Sequence, residues 1–183
     1  MRALRAAALS IVFAGAACVG SSPVPPAPSA ASSAGFLVFH DTSFGFRVGY
    51  PPDWSAQEGT EGTVITFLEP ATGSGRPASV SVLAQPLADP SQSIGRFTDL
   101  WLAEQARSIP GYHLISSDPA VLAERTARRV EYSGQQGTVI LQWEAVLTVD
   151  RARGFVVVFV ATPDRFATLH ATAEAVIDSF AID

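Results

Sequence analysis

The chain has 183 residues, a length typical of one domain, and a formal net charge of −5. This acidic balance argues against the basic surface with which proteins bind nucleic acid. There is no lysine, so Schiff-base chemistry and phosphate binding by a P-loop lysine lack their usual side chain.

Residues 1–18 have the pattern of an export signal. Arg2 and Arg5 form a basic start, and residues 6–17 are small or apolar. That run is shorter than the about 20 residues that a membrane-spanning helix needs, and it suits the apolar core of a secretory signal peptide. The sequence therefore predicts export to the extracytoplasmic side of a membrane.

Two cleavage sites compete at the end of this signal. Ala14, Gly15 and Ala16 match the small-residue pattern that precedes cleavage, which would release a soluble secreted protein. Alternatively, residues 16–18 resemble a bacterial lipobox, in which Cys18 is lipidated and becomes the new N-terminus, although Gly15 stands where that pattern favours an aliphatic residue. We favour lipidation because Cys18 is the chain's only cysteine and a spacer follows it. The expected location is then membrane-anchored in the periplasm, at the cell surface or in a thylakoid lumen.

Residues 19–35 are predicted to be a disordered spacer. Ser21–Ala34 reads SSPVPPAPSAASSA, which carries no charge and almost no bulky side chain. Such a segment cannot bury enough apolar surface to offset the entropy of ordering it. The spacer is expected to hold one folded domain, residues 36–183, away from the membrane. Beyond Cys18 there is no cysteine for a disulfide or a thiolate metal site.

The first half of the domain is predicted to contain four strands and then a helix. The strands are Phe36–Phe39, Phe44–Tyr50, Val64–Leu68 and Ala78–Ala84, and the helix is Ser93–Ser108. Pro51 and Pro52 end the second strand because neither can donate a backbone hydrogen bond. Trp54 follows at once and is expected to cap one end of the core. The apolar–serine alternation of Ala78–Ala84 indicates a sheet with one solvated or lightly covered face.

The second half is predicted to contain four more strands and a final helix. The strands are Tyr112–Ser116, Arg125–Tyr132, Val139–Val149 and Phe155–Ala161, and the helix follows Thr162 and runs towards Phe180. The connections Ser133–Gly137 and Asp150–Gly154 are too short for a parallel crossover, so neighbouring strands are expected to be antiparallel. The order of elements predicts an α+β fold: a central antiparallel β-sheet flanked by helices.

No catalytic motif is found in the sequence. It lacks a nucleophile elbow, a Walker loop, a dinucleotide-binding glycine motif and a zinc-protease His pair. His40, His113 and His170 lie far apart, and each is expected to have a structural or surface role. We therefore expect no enzyme activity, no cofactor and no metal.

Glu131 and Glu144 can meet across neighbouring strands, opposite the apolar series. Paired carboxylates can act as an acid–base pair or bind a cation. Because Arg128 and Arg129 are close in sequence, the preferred interpretation is a solvated, salt-bridged sheet face.

Trp54 and Tyr50 are the candidate binding residues. Trp101 and Trp143 belong to regular apolar series and are expected in the core. Trp54 instead follows a Pro-Pro kink, where a large aromatic ring can anchor a ligand or partner, or can plug the end of a sheet.

The segment Phe44–Trp54, FGFRVGYPPDW, resembles the opening of PsbP-like domains: an aromatic strand, Tyr-Pro, two variable residues and Trp. The strand Phe155–Ala161 and the helix ending at residues 177–180 are similar to the family's C-terminal end. The resemblance covers residues 36–183 and implies an α/β/α sandwich. The family includes the extrinsic photosystem II subunit, bacterial lipoproteins and a nuclear Ran-binding import factor, so it implies protein binding and assembly rather than catalysis. No binding residue is carried over from it.

The sequence thus predicts an exported, lipid-anchored, non-enzymatic module that binds a protein partner at a membrane surface. An alternative is an extracytoplasmic carrier for a small or lipid ligand, held in a pocket lined by Trp54 and helix aromatics. A third, an enzyme such as a hydrolase, would require a pocket that gathers a histidine and a carboxylate.

Overall fold

The structure is a computed structural model that describes residues 35–59, 62–71 and 76–183. The signal, Cys18 and the spacer lie outside the described residues. The strands are β1 (Leu37–Asp41), β2 (Phe46–Tyr50), β3 (Ser55–Glu58), β4 (Thr63–Leu68), β5 (Ser79–Pro86), β6 (His113–Leu122), β7 (Arg125–Gln136), β8 (Val139–Asp150), β9 (Arg153–Ala161) and β10 (Ala181–Ile182), and the helices are α1 (Ile94–Ser108) and α2 (Pro163–Asp178). In this part of the chain, neither helix is long and apolar enough to cross a membrane.

The strands form two antiparallel sheets. The large sheet has the order β3-β4-β5-β9-β8-β7-β6, and the small sheet has the order β1-β2-β10. Two-residue turns join β6 to β7 and β8 to β9, and their central residues all have positive φ: Ala123, Glu124, Arg151 and Ala152. Turns of this kind match the twist of the strands that they connect, so they fix antiparallel hairpins.

The large sheet is covered on both faces. Val156 and Val158 of β9 pack with Phe97 of α1, whereas Val157 and Phe159 pack with α2 and the small sheet. The predicted α/β/α sandwich is therefore confirmed. On β5 the face that carries Ser81 and Leu83 is half-buried, which agrees with the lightly covered face expected from its alternation.

Several strands differ from the sequence-based expectation, and the two-residue β10 was not predicted. β3 was not predicted, and each of its side chains is exposed. β6 continues to Leu122, and β7 continues through the predicted connection to Gln136. Strands at a sheet edge or a hairpin tip need little apolar burial, so their sequences lack the alternation that predicts a strand.

Candidate functional site

The two predicted binding residues contribute to the core of the domain. Trp54 is 6% exposed and packs in the cluster formed with α2 and the small sheet. Tyr50 is half-buried, and its ring stacks on Phe67 with centroids 4.4 Å apart. Neither residue lines either of the two grooves described below. A binding role for Trp54 and Tyr50 stays a prediction.

A network of ionisable side chains joins α2 to the large sheet. Glu144 of β8 is 3% exposed. Its Oε1 accepts a hydrogen bond from Nη1 of Arg129 on β7 at 2.5 Å, and its Oε2 lies 3.0 Å from Nε2 of His170 on α2. Arg129 also donates to Glu174, which lies one turn after His170 on α2. One buried carboxylate is thus tied to a neighbouring strand and to the covering helix.

The network corrects part of the sequence-based interpretation. Glu131 and Glu144 are directly opposite in the register of β7 and β8, and Arg129 forms the expected salt bridge. The solvated environment, however, was wrong for Glu144, because α2 covers it. Glu174 was not identified from the sequence. Its spacing of four residues from His170, which places both side chains on the same face of an amphipathic helix, could have indicated it.

Burial changes the proton affinities of the network. Desolvation raises the pKa of Glu144 to about 7, its hydrogen bond with Glu174 acts in the same direction, and Arg129 opposes the shift. Desolvation alone would raise the pKa of Glu174, but its hydrogen bonds to Arg129 and Glu144 lower it. The two directions differ because the carboxyl groups interact, and the proton is held by Glu144, the more deeply buried of the two.

The chemistry of this network favours a structural role. Ligand-type atoms of Glu144, His170 and Glu174 lie within 4.8 Å of one another. Arg129 bonds both carboxyl groups, however, so a metal cation would have to displace a guanidinium that is already bound to them. A histidine beside a carboxylate can also act as an acid–base pair, but the two grooves described below have other linings. We interpret the cluster as an ion-pair network that fixes α2 against the sheet.

Exposed apolar side chains lie at the two ends of one edge strand of the large sheet and at the start of β8. β6 is the edge strand and pairs only with β7. It exposes Leu114, Ile115 and Val121, and the last of these is 73% exposed. Val139 and Ile140, at the start of β8, are exposed as well. Among the described residues, these five include most of the large apolar side chains that face solvent. We call them the β6 surface.

A groove of about 560 Å³ lies between the β6–β7 turn and the C-terminal end of α2. Arg47 and Arg125 line it. Arg47 forms an ion pair with Asp183, and Nε of Arg125 lies 2.9 Å from Asp150. Its cationic side chains are therefore already neutralised by the protein's own carboxylates.

A second groove lies between α1 and the end of β5. An outer cavity of about 390 Å³ adjoins an inner cavity of about 150 Å³, and Gln85, Phe97 and Trp101 line both. Trp101, which the sequence placed in the core, is half-buried and lines both cavities. A groove lined by helix aromatics is therefore present, but it is formed by Trp101 and not by Trp54. We call it the α1 groove.

Comparison with known proteins found similarity in structure only. No family model and no curated protein matches the chain. PsbP of the cyanobacterium Synechocystis is 15% identical with a TM-score of 0.63, over 88% of this chain and 100% of that one. LpqN of Mycobacterium tuberculosis, which is involved in cell envelope biogenesis, is 16% identical with a TM-score of 0.57, over 80% and 89%. PA94 of Pseudomonas aeruginosa, a protein of unknown function, is 15% identical with a TM-score of 0.57, over 79% and 94%.

These likenesses agree with the sequence motifs on the architecture of the domain. The aromatic strand β2 is followed by Pro51, Pro52 and Trp54, and β9 leads directly into α2, as the resemblance implied. Identities of this size show a shared fold and carry no activity or ligand with them. The chain has the PsbP-like fold.

Proposed function

We propose that the chain is an exported, lipid-anchored, non-enzymatic module that binds a protein partner at a membrane surface. The observation that carries the proposal is the β6 surface, in which exposed apolar side chains lie at both ends of the edge strand β6 and at the start of β8. Exposed apolar patches on soluble domains mark interaction sites. The export signal supports the location, and a similar fold in LpqN, a protein of cell envelope biogenesis, is consistent with it.

The geometry of β6 suits a selective partner. An edge strand offers unpaired backbone groups to an added strand, and alternate side chains supply specificity. Asp118 and Pro119 lie in the middle of β6, and a bulge lies between Leu114 and Ser116. Charges, prolines and bulges are the features by which edge strands avoid indiscriminate pairing. The apolar residues at the two ends of β6 are therefore expected to provide most of the contact.

Capture of the partner tests the binding proposal. The full-length tagged chain is expressed in its native cells, the envelope is solubilised gently, and co-purifying proteins are quantified for Ile115→Asp and Leu100→Asp. The two positions are matched at 48% and 46% exposure, but Leu100 lies on α1. We expect Ile115→Asp to reduce recovery of the partner at least tenfold and Leu100→Asp to leave it unchanged. Equal recovery from both variants, or no partner with the wild-type chain, would contradict the proposal.

Mass spectrometry of the mature N-terminus tests the anchor. Lipidation predicts a chain that begins at Cys18 and carries the added mass of acyl groups. The alternative, cleavage after Ala16, predicts an unmodified chain beginning at residue 17. Finding that unmodified chain as the main species would replace the lipid-anchored protein with a soluble secreted one.

A further inference from the structure

The α1 groove has walls that suit an apolar molecule. Its outer part is bounded by Pro86, Leu87 and Leu100, and its inner part by Leu83 and Val156. Phe97 and Trp101 contribute aromatic surface to both. Cavities that bind small molecules are typically about 300–1,000 Å³ in volume and are lined by hydrophobic and aromatic side chains with few polar groups. The outer cavity of about 390 Å³ lies within that range.

A glycine helps to shape the inner cavity. A Cβ atom at Gly154 would lie 2.5 Å from Cζ of Phe97 and 3.1 Å from Cδ2 of Leu87. The absence of a side chain at residue 154 therefore lets Phe97 lie against β9, beside the inner cavity. A space of about 150 Å³ is large enough for a benzene-sized group.

The lining favours an uncharged occupant. Among the described lining residues Glu104 is the one ionisable side chain, and it already accepts hydrogen bonds from Arg107 at 2.7 Å and from Ser108 at 2.9 Å. Gln85, Gln92 and Gln105 offer neutral hydrogen-bonding groups. Moving a charged group into such a site costs desolvation free energy, and the described lining has no unpaired opposite charge to offset that cost.

We propose that the α1 groove binds a small neutral molecule and receives an aromatic ring or short hydrocarbon group of that molecule in the inner cavity beside Trp101. The site lies between α1 and β5, whereas β6 is at the far edge of the sheet. The binding site is therefore independent of the partner surface proposed above.

Titration with N-phenyl-1-naphthylamine, a neutral aromatic dye that fluoresces in apolar sites, tests this proposal. The chain beginning at residue 19 is used, because it contains every described residue and omits the lipid. We expect saturable binding at one site and a shift of the Trp101 indole NMR signal, assigned through Trp101→Phe. The anionic dye 8-anilino-1-naphthalenesulfonate is expected to bind at least tenfold more weakly. Equal binding of the two dyes, or an unshifted Trp101 signal at saturation, would overturn the proposal.

Two variants test whether the dye binds in the α1 groove. Leu83→Phe fills the inner cavity, and Leu100→Asp puts a charge on the exposed rim, where it does not disturb the core. Each is expected to lower the affinity for the neutral dye at least tenfold, and Ile115→Asp is expected to leave it unchanged. Unchanged affinity in Leu100→Asp would refute the site even if Leu83→Phe failed to fold. Because Leu100→Asp and Ile115→Asp have opposite expected effects on dye and partner, failure of one proposal is distinguishable from failure of the other.

Discussion

Replacement of Glu144 by Gln should remove a pH dependence from the stability of the domain. The pKa of Glu144 is raised from an ordinary value of 4.5 to about 7 in the folded protein, first by desolvation and then by Glu174. The folded state therefore binds this proton more tightly than the unfolded state does. The resulting stabilisation is fully present below pH 4.5 and is lost as the pH rises through 7.

The size of this effect follows from the shift. A difference of one pKa unit corresponds to 1.36 kcal/mol, so the free energy of unfolding should fall by about 3 kcal/mol between pH 4.5 and pH 8. In a domain of this length, that change corresponds to a decrease of about 6–12 °C in Tm. The lowered pKa of Glu174 acts in a separate window, because its contribution is lost only as the pH falls below 4.5.

Urea unfolding followed by tryptophan fluorescence, at fixed ionic strength between pH 5 and pH 8, measures this dependence. Glu144→Gln keeps the shape of the side chain and can still bond Arg129 and His170, so the variant should fold and its stability should be nearly flat across the range. Glu131→Gln is the matched control, because Glu131 is opposite Glu144 in the register but outside the network. A wild-type protein without the decline, or the same decline in Glu144→Gln, would refute the reasoning.

Two further substitutions test the packing of the two faces. Arg129→Met removes the cation that neutralises buried Glu144. Because Arg129 is partly exposed, we expect the free energy of unfolding at pH 8 to fall by an amount near the lower end of about 3–5 kcal/mol. An unchanged free energy of unfolding, measured with urea, would count against the network. Gly154→Ala forces its Cβ against Phe97 and should lower the free energy of unfolding by about 1–3 kcal/mol. Gly95→Ala on α1 is the control, because the nearest atom to its Cβ would be 3.9 Å away; it should be neutral or stabilise the domain by up to about 1 kcal/mol. Thermal unfolding compares these two glycine variants, and similar costs for both would contradict the close approach of α1 to β9.

The order of the main elements was predictable because strong periodic patterns carry it. Apolar and polar residues alternate along much of β8, and β9 is almost continuously apolar. Because a two-residue turn joins them, their antiparallel pairing followed from the sequence. α2 has a proline at its start and a continuous apolar face, which fixed its position in the chain. The unpredicted strand β3 has only exposed side chains, and nothing in its pattern separates it from a loop.

The candidate sites depend on tertiary contacts that spacing does not encode. The pairing of β7 with β8 brings Arg129 close to Glu144, as the sequence indicated, but only the packing of α2 on the sheet adds His170 to them. The exposure of Ile115 could not be predicted, because an apolar residue in a strand looks the same at an edge as at the centre of a sheet. The α1 groove likewise depends on how the segment between β5 and α1 folds back beside Trp101.

Site-specific photocrosslinking in intact cells tests the binding role of the β6 surface most directly. A photoreactive side chain is placed at Ile115 in one chain and at Leu100 in another, since the two positions are equally exposed. We expect a discrete protein adduct from position 115 and none from position 100. Adducts of equal yield from both positions, or none from position 115 in cells that produce the protein at its normal level, would contradict it.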